Sequence, residues 1–175
     1  MARLRKFCAY RRVERPYTRF SKFKKYSFIR ARPGNRITRY TSGAQLDYPF
    51  NVHLVAKSCV QIRSQALESA RLAANRAMEK VLGKQGFFLQ IRLYPHHVLR
   101  ENPLASGAGA DRLSTGMKHS FGKPIGVAAQ VRDGQEMITI RTGKENVRLA
   151  KNALRAAAHK LPLKCSVVVK ELARA

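Results

Sequence analysis

Cysteine is scarce in this sequence, and the few cysteines are poorly placed for crosslinks or metal sites. The three residues, Cys8, Cys59 and Cys165, are odd in number and widely spaced, and no C-x-x-C motif occurs. This pattern argues against a disulfide framework and against a zinc finger or ribbon. We therefore expect a reduced, cytoplasmic protein that holds no metal.

Long apolar runs are also missing. No stretch approaches the roughly 20 residues that cross a bilayer, and no apolar segment of a secretory signal follows the basic N-terminus. The sequence has neither a strongly amphipathic basic helix nor a lipidation motif that would anchor it to a membrane surface. We therefore expect no membrane partner.

Acidic residues are few beside the basic ones. The 175 residues include 10 Asp and Glu against 35 Lys and Arg, which gives a formal charge of +25 and an isoelectric point near 11.1. The hydrophobic fraction of 45% is ordinary, so the length predicts one domain with a core and an extension. A compact chain of this charge repels itself, and nucleic acid is the commonest polyanion that relieves the repulsion.

The basic residues are concentrated in the first forty positions, which hold fourteen Lys and Arg and a single acid, Glu14. Ten of the fourteen aromatic residues fall in residues 1–50. Since cations neutralise phosphates and rings stack on exposed bases, this pattern predicts an RNA-binding extension over residues 1–50. A solvated charged tail is the alternative, although such tails are usually poor in aromatics. The candidate RNA-binding cations are Arg3, Arg5, Lys6, Arg11, Arg12, Arg15, Arg19, Lys22, Lys24, Lys25, Arg30, Arg32, Arg36 and Arg39.

Residues 51–175 have the pattern of a folded domain with two helices. The first helix is predicted over 64–82, with Ser64 as its N-cap, Arg71 on its outer face and Val81 on its buried face. The second follows a capping box at Thr142-x-x-Glu145 and ends before Pro162. Its expected basic outer face consists of Arg148, Lys151, Asn152, Arg155 and Lys160.

The strand signals lie on either side of these helices. Asp133-Gly134 is predicted to form a hairpin turn between two of the strands. The predicted strands are 52–60, 86–94, 125–132, 136–142 and 164–170. This order of elements predicts the α+β class, as a two-layer domain in which two helices pack on a mixed sheet.

A glycine-rich basic segment, LASGAGADRLSTGMKHSFGKP, occupies residues 104–124 within a predicted internal loop, 101–123. Loops longer than about 15 residues are usually functional or disordered. Glycine lets the backbone approach a ligand closely, and cations meet phosphates or 2′-hydroxyl groups. We expect a loop that is mobile alone and ordered on RNA, with a plain solvated loop as the alternative. The candidate loop residues are Gly107, Gly109, Arg112, Gly116, Lys118, Gly122 and Lys123.

Motifs for catalysis or nucleotide binding are incomplete. The third glycine of a G-x-G-x-x-G pattern falls at Arg112, and Pro124 stands where a P-loop needs Ser or Thr. The adjacent His96 and His97 point to opposite faces of an extended chain and have few acids nearby. A triad built on loop serines and His119 would lack rigid support. We therefore predict no catalytic residue, no cofactor and no metal site.

The central block, IRLYPHHVLRENPLASGAGADRLSTGMKHSFGKPIGVAAQV at residues 91–131, closely resembles the L-ten-e family of archaeal and eukaryotic large-subunit ribosomal proteins, the counterpart of bacterial L-sixteen. The resemblance extends through residues 66–95 and 136–142, and more loosely to RPYTRFSKFKKYSF at 15–28. The runs AGADRLSTGM and FGKP are highly specific to the family.

The resemblance implies a fold similar to the α/β-hammerhead. It also implies a non-enzymatic protein, a monomer within its particle, that binds large-subunit ribosomal RNA beside neighbouring ribosomal proteins. The loop is expected to face the peptidyl-transferase centre and the corridor for aminoacyl-tRNA, and Arg100 at its base joins the candidate RNA contacts. An RNA-modifying enzyme with the loop as a lid, or a free nucleic-acid chaperone, are the alternatives from other functional classes.

Overall fold

The computed structural model describes residues 4–13, 23, 25, 28–29, 31–105, 107–114 and 116–172. The helices are α1 (Ser64–Leu82), the one-turn α2 (Ala110–Leu113) and α3 (Val147–Ala158). The strands are β1 (Thr41–Gly43), β2 (Phe50–Ala56), β3 (Val60–Arg63), β4 (Phe88–Ile91), β5 (His97–Glu101), β6 (Lys123–Val131), β7 (Glu136–Thr142) and β8 (Cys165–Glu171).

The strands form two sheets, one of five strands in the order β1-β4-β7-β2-β8 and one of three in the order β3-β6-β5. The α+β class with two long helices is confirmed. The single mixed sheet is a correction, because every strand pair within the described residues is antiparallel. Strand β2 lies between β7 and β8, so the two strands that α3 connects are parallel to each other without pairing directly.

Two predicted strand connections are wrong because the chain changes sheets there. The expected strand 52–60 ends at Ala56 as β2 and resumes at Val60 as β3 in the other sheet. The turn at Asp133-Gly134 exists, with Gly134 at a φ of 74°, but it links β6 to β7 across the two sheets and closes no hairpin. The amide of Gly134 donates instead to the carbonyl of Ala56, so both crossings lie together.

The main core lies between the pair α1 and α3 and the sheets: the five-stranded sheet supplies most of its strand residues, and β3 and β6 of the three-stranded sheet add others, such as Ile62 and Val131. Helix α1 buries Leu67 and Met78 among small alanines, and α3 buries Leu154 in the same way. Alanine at the remaining inward positions lets the two helices approach each other and the sheet closely. The interior is therefore packed by small and branched side chains at helical and strand spacing, as the sequence pattern predicts.

The ends and faces of the helices depart from prediction in three places. Arg63, and not Ser64, is the N-cap of α1, and no side chain caps it. Val81 is exposed, whereas Arg71 is only 6% exposed and donates hydrogen bonds to Glu68, Thr38 and Ser42. The predicted capping box is absent, since Thr142 belongs to β7 and a 3-10 turn at Lys144–Asn146 precedes α3.

The N-terminal segment packs on the three-stranded sheet. Tyr10 is buried against Leu99 and Ala128, and Ile29 against Val98 and Val127. Strand β5, which the sequence analysis did not predict, supplies part of this surface. None of the described helices has the length and apolar character of a membrane span.

Candidate nucleic-acid interface

The predicted N-terminal cations that the structure describes are all exposed. Those with described positions are Arg5, Lys6, Arg11, Arg12, Lys25, Arg32, Arg36 and Arg39. The other candidates, Arg3, Arg15, Arg19, Lys22, Lys24 and Arg30, lie outside the described residues. Exposed cations in this number are available to a polyanion, because they are not buried in the core.

Three of these cations line grooves at two places on the surface. Arg5 and Arg12 line a polar groove with Arg100 and Glu101, between the N-terminal segment and β5. Arg39 lines a second groove, between β1 and α1. The structure therefore brings only part of the predicted N-terminal set to the base of the glycine-rich loop.

Glu101, at the end of β5, joins the N-terminal segment to the base of the loop. Its side chain accepts a hydrogen bond from the Tyr10 hydroxyl at 2.6 Å and another from Arg5 Nε at 2.9 Å. Glu101 is only 8% exposed, and a buried carboxylate is tolerated when it is paired and hydrogen-bonded. Burial raises the pKa of Tyr10, so its hydroxyl stays a donor at neutral pH.

Gly122 closes the loop against the same residue. A β-carbon at Gly122 would lie 2.7 Å from the carbonyl carbon and 2.8 Å from the nitrogen of Glu101. Such distances are too short for any side chain, so only glycine fits where the loop rejoins β6. Gly122, one of the candidate loop residues, therefore has a packing role at this position.

A ring and a guanidinium stack beside this junction. The Arg100 guanidinium lies 4.0 Å from the centre of the Phe121 ring, a distance typical of a cation–π contact. Phe121 also contacts the exposed Phe28, with ring centres 6.4 Å apart. Arg100 is thereby held at the loop base, opposite Pro124 of β6.

The loop between β5 and β6 has some structure of its own. Gly109 adopts a left-handed conformation, with φ 77°, and is followed by the one-turn helix α2, which carries the exposed Arg112. Ser114 Oγ accepts the amide of Ala105 at 3.2 Å. Lys118 is exposed, as are Gly107 and Lys123, and Gly116 is half-buried. The cations of the loop thus project from a backbone with few apolar anchors.

Sequence reasoning missed a ring cluster that lies after β4. Tyr94 stacks on Tyr40 with ring centres 5.6 Å apart, and its centre lies 4.6 Å from that of His96. The Arg32 guanidinium lies 5.3 Å from the Tyr94 ring and donates to the Pro95 carbonyl. The only sequence signal for this cluster was Tyr94 two residues before His96. Its other members, Tyr40 and Arg32, precede β1 in the chain.

A separate charged cluster lies on the face of the five-stranded sheet that the helices leave open. Glu136 pairs with Arg92 and Lys170, and its carboxylate lies 3.4 Å from His53 Nδ1. The hydrogen bond from Lys170 lowers the pKa of Glu136. His53 also contacts Thr139 Oγ1 at 3.0 Å, and burial lowers the pKa of His53 despite the neighbouring carboxylate. This cluster is a structural ion-pair network.

Among the described residues, no group of three or more His, Cys, Asp and Glu side chains is arranged to hold a metal ion. The surface instead offers exposed cations, guanidinium–ring stacks and a loop of small residues. Phosphates, 2′-hydroxyls and unstacked bases are the groups that such an arrangement binds.

Comparison with known proteins agrees with this chemistry. The family described as "Ribosomal protein L16p/L10e" matches residues 15–168. The chain is 51% identical to a large ribosomal subunit protein uL16 of Methanococcus aeolicus over 168 residues, which cover 95% of this chain and 94% of the relative. It is 46% identical to the uL16 protein of Methanococcus maripaludis, with the same coverage, and 43% identical to that of Archaeoglobus fulgidus, over 93% of this chain and 90% of the relative.

Proposed function

The chain belongs to the ribosomal protein L16p/L10e family, and on that premise we propose that it binds large-subunit ribosomal RNA through its N-terminal segment and loop and helps position aminoacyl-tRNA near the peptidyl-transferase centre. As a member of this family it is a structural constituent of the large ribosomal subunit in the cytoplasm, and it is not an enzyme. Its partners there are ribosomal RNA and neighbouring ribosomal proteins.

The observation that carries the proposal is the junction at Glu101. Arg5 and Tyr10 bond to Glu101 from the N-terminal segment, and Gly122 packs on its backbone from the loop. The two regions that are richest in candidate RNA contacts therefore share one base. RNA that binds the N-terminal segment would fix the direction in which the loop leaves the domain.

The loop suits a narrow space between RNA strands. Its backbone is rich in glycine, and its described cations, Arg112 and Lys118, are exposed, as is Lys123 where β6 begins. We propose that these cations and Arg100 contact RNA near the tRNA acceptor ends, while peptide-bond chemistry belongs to the RNA. We propose also that residues 1–50 act as the RNA-binding extension of a domain formed by 51–175, into whose core and five-stranded sheet the end of the extension packs through Ile37 and β1. We propose that the protein is a monomer within its particle.

Salt dependence tests the RNA-binding part of the proposal. With about 6–10 phosphate contacts, affinity for transcribed large-subunit RNA should fall about 10³–10⁵-fold between 50 and 200 mM salt, because counterions are released on binding. Affinity that does not change over this range would contradict phosphate-dominated binding.

Deletion of residues 105–121 tests the loop separately. This deletion leaves Glu101 and Gly122 in place, so the domain should unfold at nearly the same temperature and still enter large subunits. Occupancy of such subunits by aminoacyl-tRNA should fall. Normal occupancy would overturn the positioning role, and an unfolded deletion protein would show that the loop belongs to the core.

Arg112→Gln/Lys118→Gln is a milder variant of the loop for the same measurement. Lys57→Gln/Arg132→Gln is its control, at exposed turns outside the loop.

A further inference from the structure

Helix α3 carries a row of cations on its outer face. Arg148, Lys151 and Arg155 follow one another at intervals of three and four residues, which places them on one side of the helix over about 10 Å of its axis. Arg148 and Arg155 are exposed and Lys151 is half-buried, while the opposite face of α3 packs in the core. We call these three residues the α3 row.

Among the described residues, no acid forms an ion pair with the α3 row. The helix itself, VRLAKNALRAAA, contains no Asp or Glu. Within the described part of the chain, Arg148 and Lys151 make no hydrogen bond or ion pair, and Arg155 has only a 3.4 Å contact with Asn152. Repulsion between the members of the row is therefore unrelieved by the protein.

The acids of the neighbouring helix α1 face away from the row. Glu68 bonds to Arg71 and Thr38, and Glu79 lines the groove between α1 and β1 with Thr38. Strand β1 is at one edge of the five-stranded sheet, whereas α3 contacts β2, β7 and β8 at the other side. Glu145, just before α3, is the nearest acid in sequence.

The position of the row is unfavourable for the isolated helix. Arg148 lies in the first turn of α3, where the helix dipole favours anions, and no acidic residue occupies that turn. Cations three and four residues apart repel each other. A local arrangement that opposes folding in this way is expected at a functional surface, where a bound group supplies the missing charge.

We propose that the α3 row is a further binding surface for the phosphate backbone of ribosomal RNA, separate from the N-terminal segment and the loop. The proposal rests on the ribosomal function above. It adds an RNA contact on the helical side of the domain, where α3 covers one face of the five-stranded sheet. The protein would then be held by RNA on its helical layer as well as at the loop base. Backbone phosphates are the partner because the row offers charge without an exposed ring between the cations.

The test compares Arg148→Gln/Lys151→Gln/Arg155→Gln with Lys57→Gln/Arg132→Gln/Lys164→Gln. Both triple variants lose three exposed or partly exposed cations, and glutamine is a good helix former, so circular dichroism should show both folded. Binding to transcribed large-subunit RNA of Methanococcus maripaludis is measured at several salt concentrations. The slope of log affinity against log salt should become less negative by about 2–3 for the α3 variant, since each phosphate contact contributes about 0.7–0.9. The control should change by less than half of that.

A second measurement does not depend on the variant. In the unchanged protein, acylation of Lys151 by an amine-reactive reagent should slow at least about fivefold when the RNA is bound, relative to Lys164 in the same sample. An α3 variant with the slope of the control, or equal acylation of both lysines, overturns the proposal. If the unchanged protein binds RNA without salt dependence, the wider RNA-binding function fails as well, so the two failures are distinguishable.

Discussion

Replacement of Gly122 by alanine is the sharpest perturbation of the loop base. The added β-carbon would lie 2.7 Å from the carbonyl carbon of Glu101, 2.8 Å from its nitrogen and 3.0 Å from its oxygen. All three are main-chain atoms of β5, and Glu101 is held in register with Lys123 of β6. These atoms cannot rotate aside as a flexible side chain would, so the backbone must shift.

Overpacking of this kind costs about 1–3 kcal/mol. In a domain of this size, 1 kcal/mol changes the melting temperature by about 2–4 °C, so Gly122→Ala should lower Tm by about 2–12 °C. The shift should also lengthen the hydrogen bond between Tyr10 and Glu101, and the N-terminal segment should become easier to cleave by protease.

Thermal unfolding followed by circular dichroism measures the effect, with Gly143→Ala as the matched control. Gly143 has a φ of −71°, which alanine adopts readily, and no atom within 4 Å of a β-carbon built there. The control should be unchanged or gain up to about 1 kcal/mol of stability. Equal melting temperatures for the two variants would refute the close contact between Gly122 and Glu101.

Three further substitutions and conditions test the packing of charged groups. Glu101→Ala removes the acceptor of the Tyr10 hydroxyl, and urea unfolding should show a loss of about 1–3 kcal/mol; an unchanged midpoint would contradict the junction. Arg71→Met removes the hydrogen bonds to Glu68, so the free energy of unfolding in urea should fall by about 1.5–3 kcal/mol. An unchanged free energy would show that the pair adds nothing to stability. Because burial lowers the pKa of His53, the unfolded chain binds its proton first, so stability should fall as pH drops below about 6.5; His53→Gln should flatten this part of the Tm profile, and an unaltered profile would argue against it.

The core of the fold followed from local pattern. Alanine, methionine and valine at helical spacing predicted α1 at the bounds observed, although Val81 of that pattern is exposed, because a helix must bury one face whatever it packs against. The strand predicted at 86–94 likewise contains β4, whose Leu89 and Ile91 are buried. Neither prediction required knowing which elements pack against α1 or β4.

The pairing between strands that are distant in the sequence could not be predicted from the local pattern. The turn at Asp133-Gly134 has the sequence of a hairpin, yet β6 and β7 enter different sheets because each finds partners far along the chain. Thr142 and Glu145 have capping-box spacing, but Thr142 pairs with Phe50 inside the sheet. Local signals specify a turn or a cap, whereas long-range pairing decides whether the geometry is available.

By itself, the sequence determined the element types, the excess of positive charge, the glycine-rich loop and the family resemblance, since each is carried by composition or by contiguous residues. Only the tertiary structure decided that Arg71 is buried and that Glu101 ties the N-terminal segment to the loop. It likewise showed that, within the described part of the chain, no acid pairs with the cations of α3. The physical reason is that burial and charge pairing depend on groups brought together from distant positions, and a one-dimensional pattern does not contain those distances.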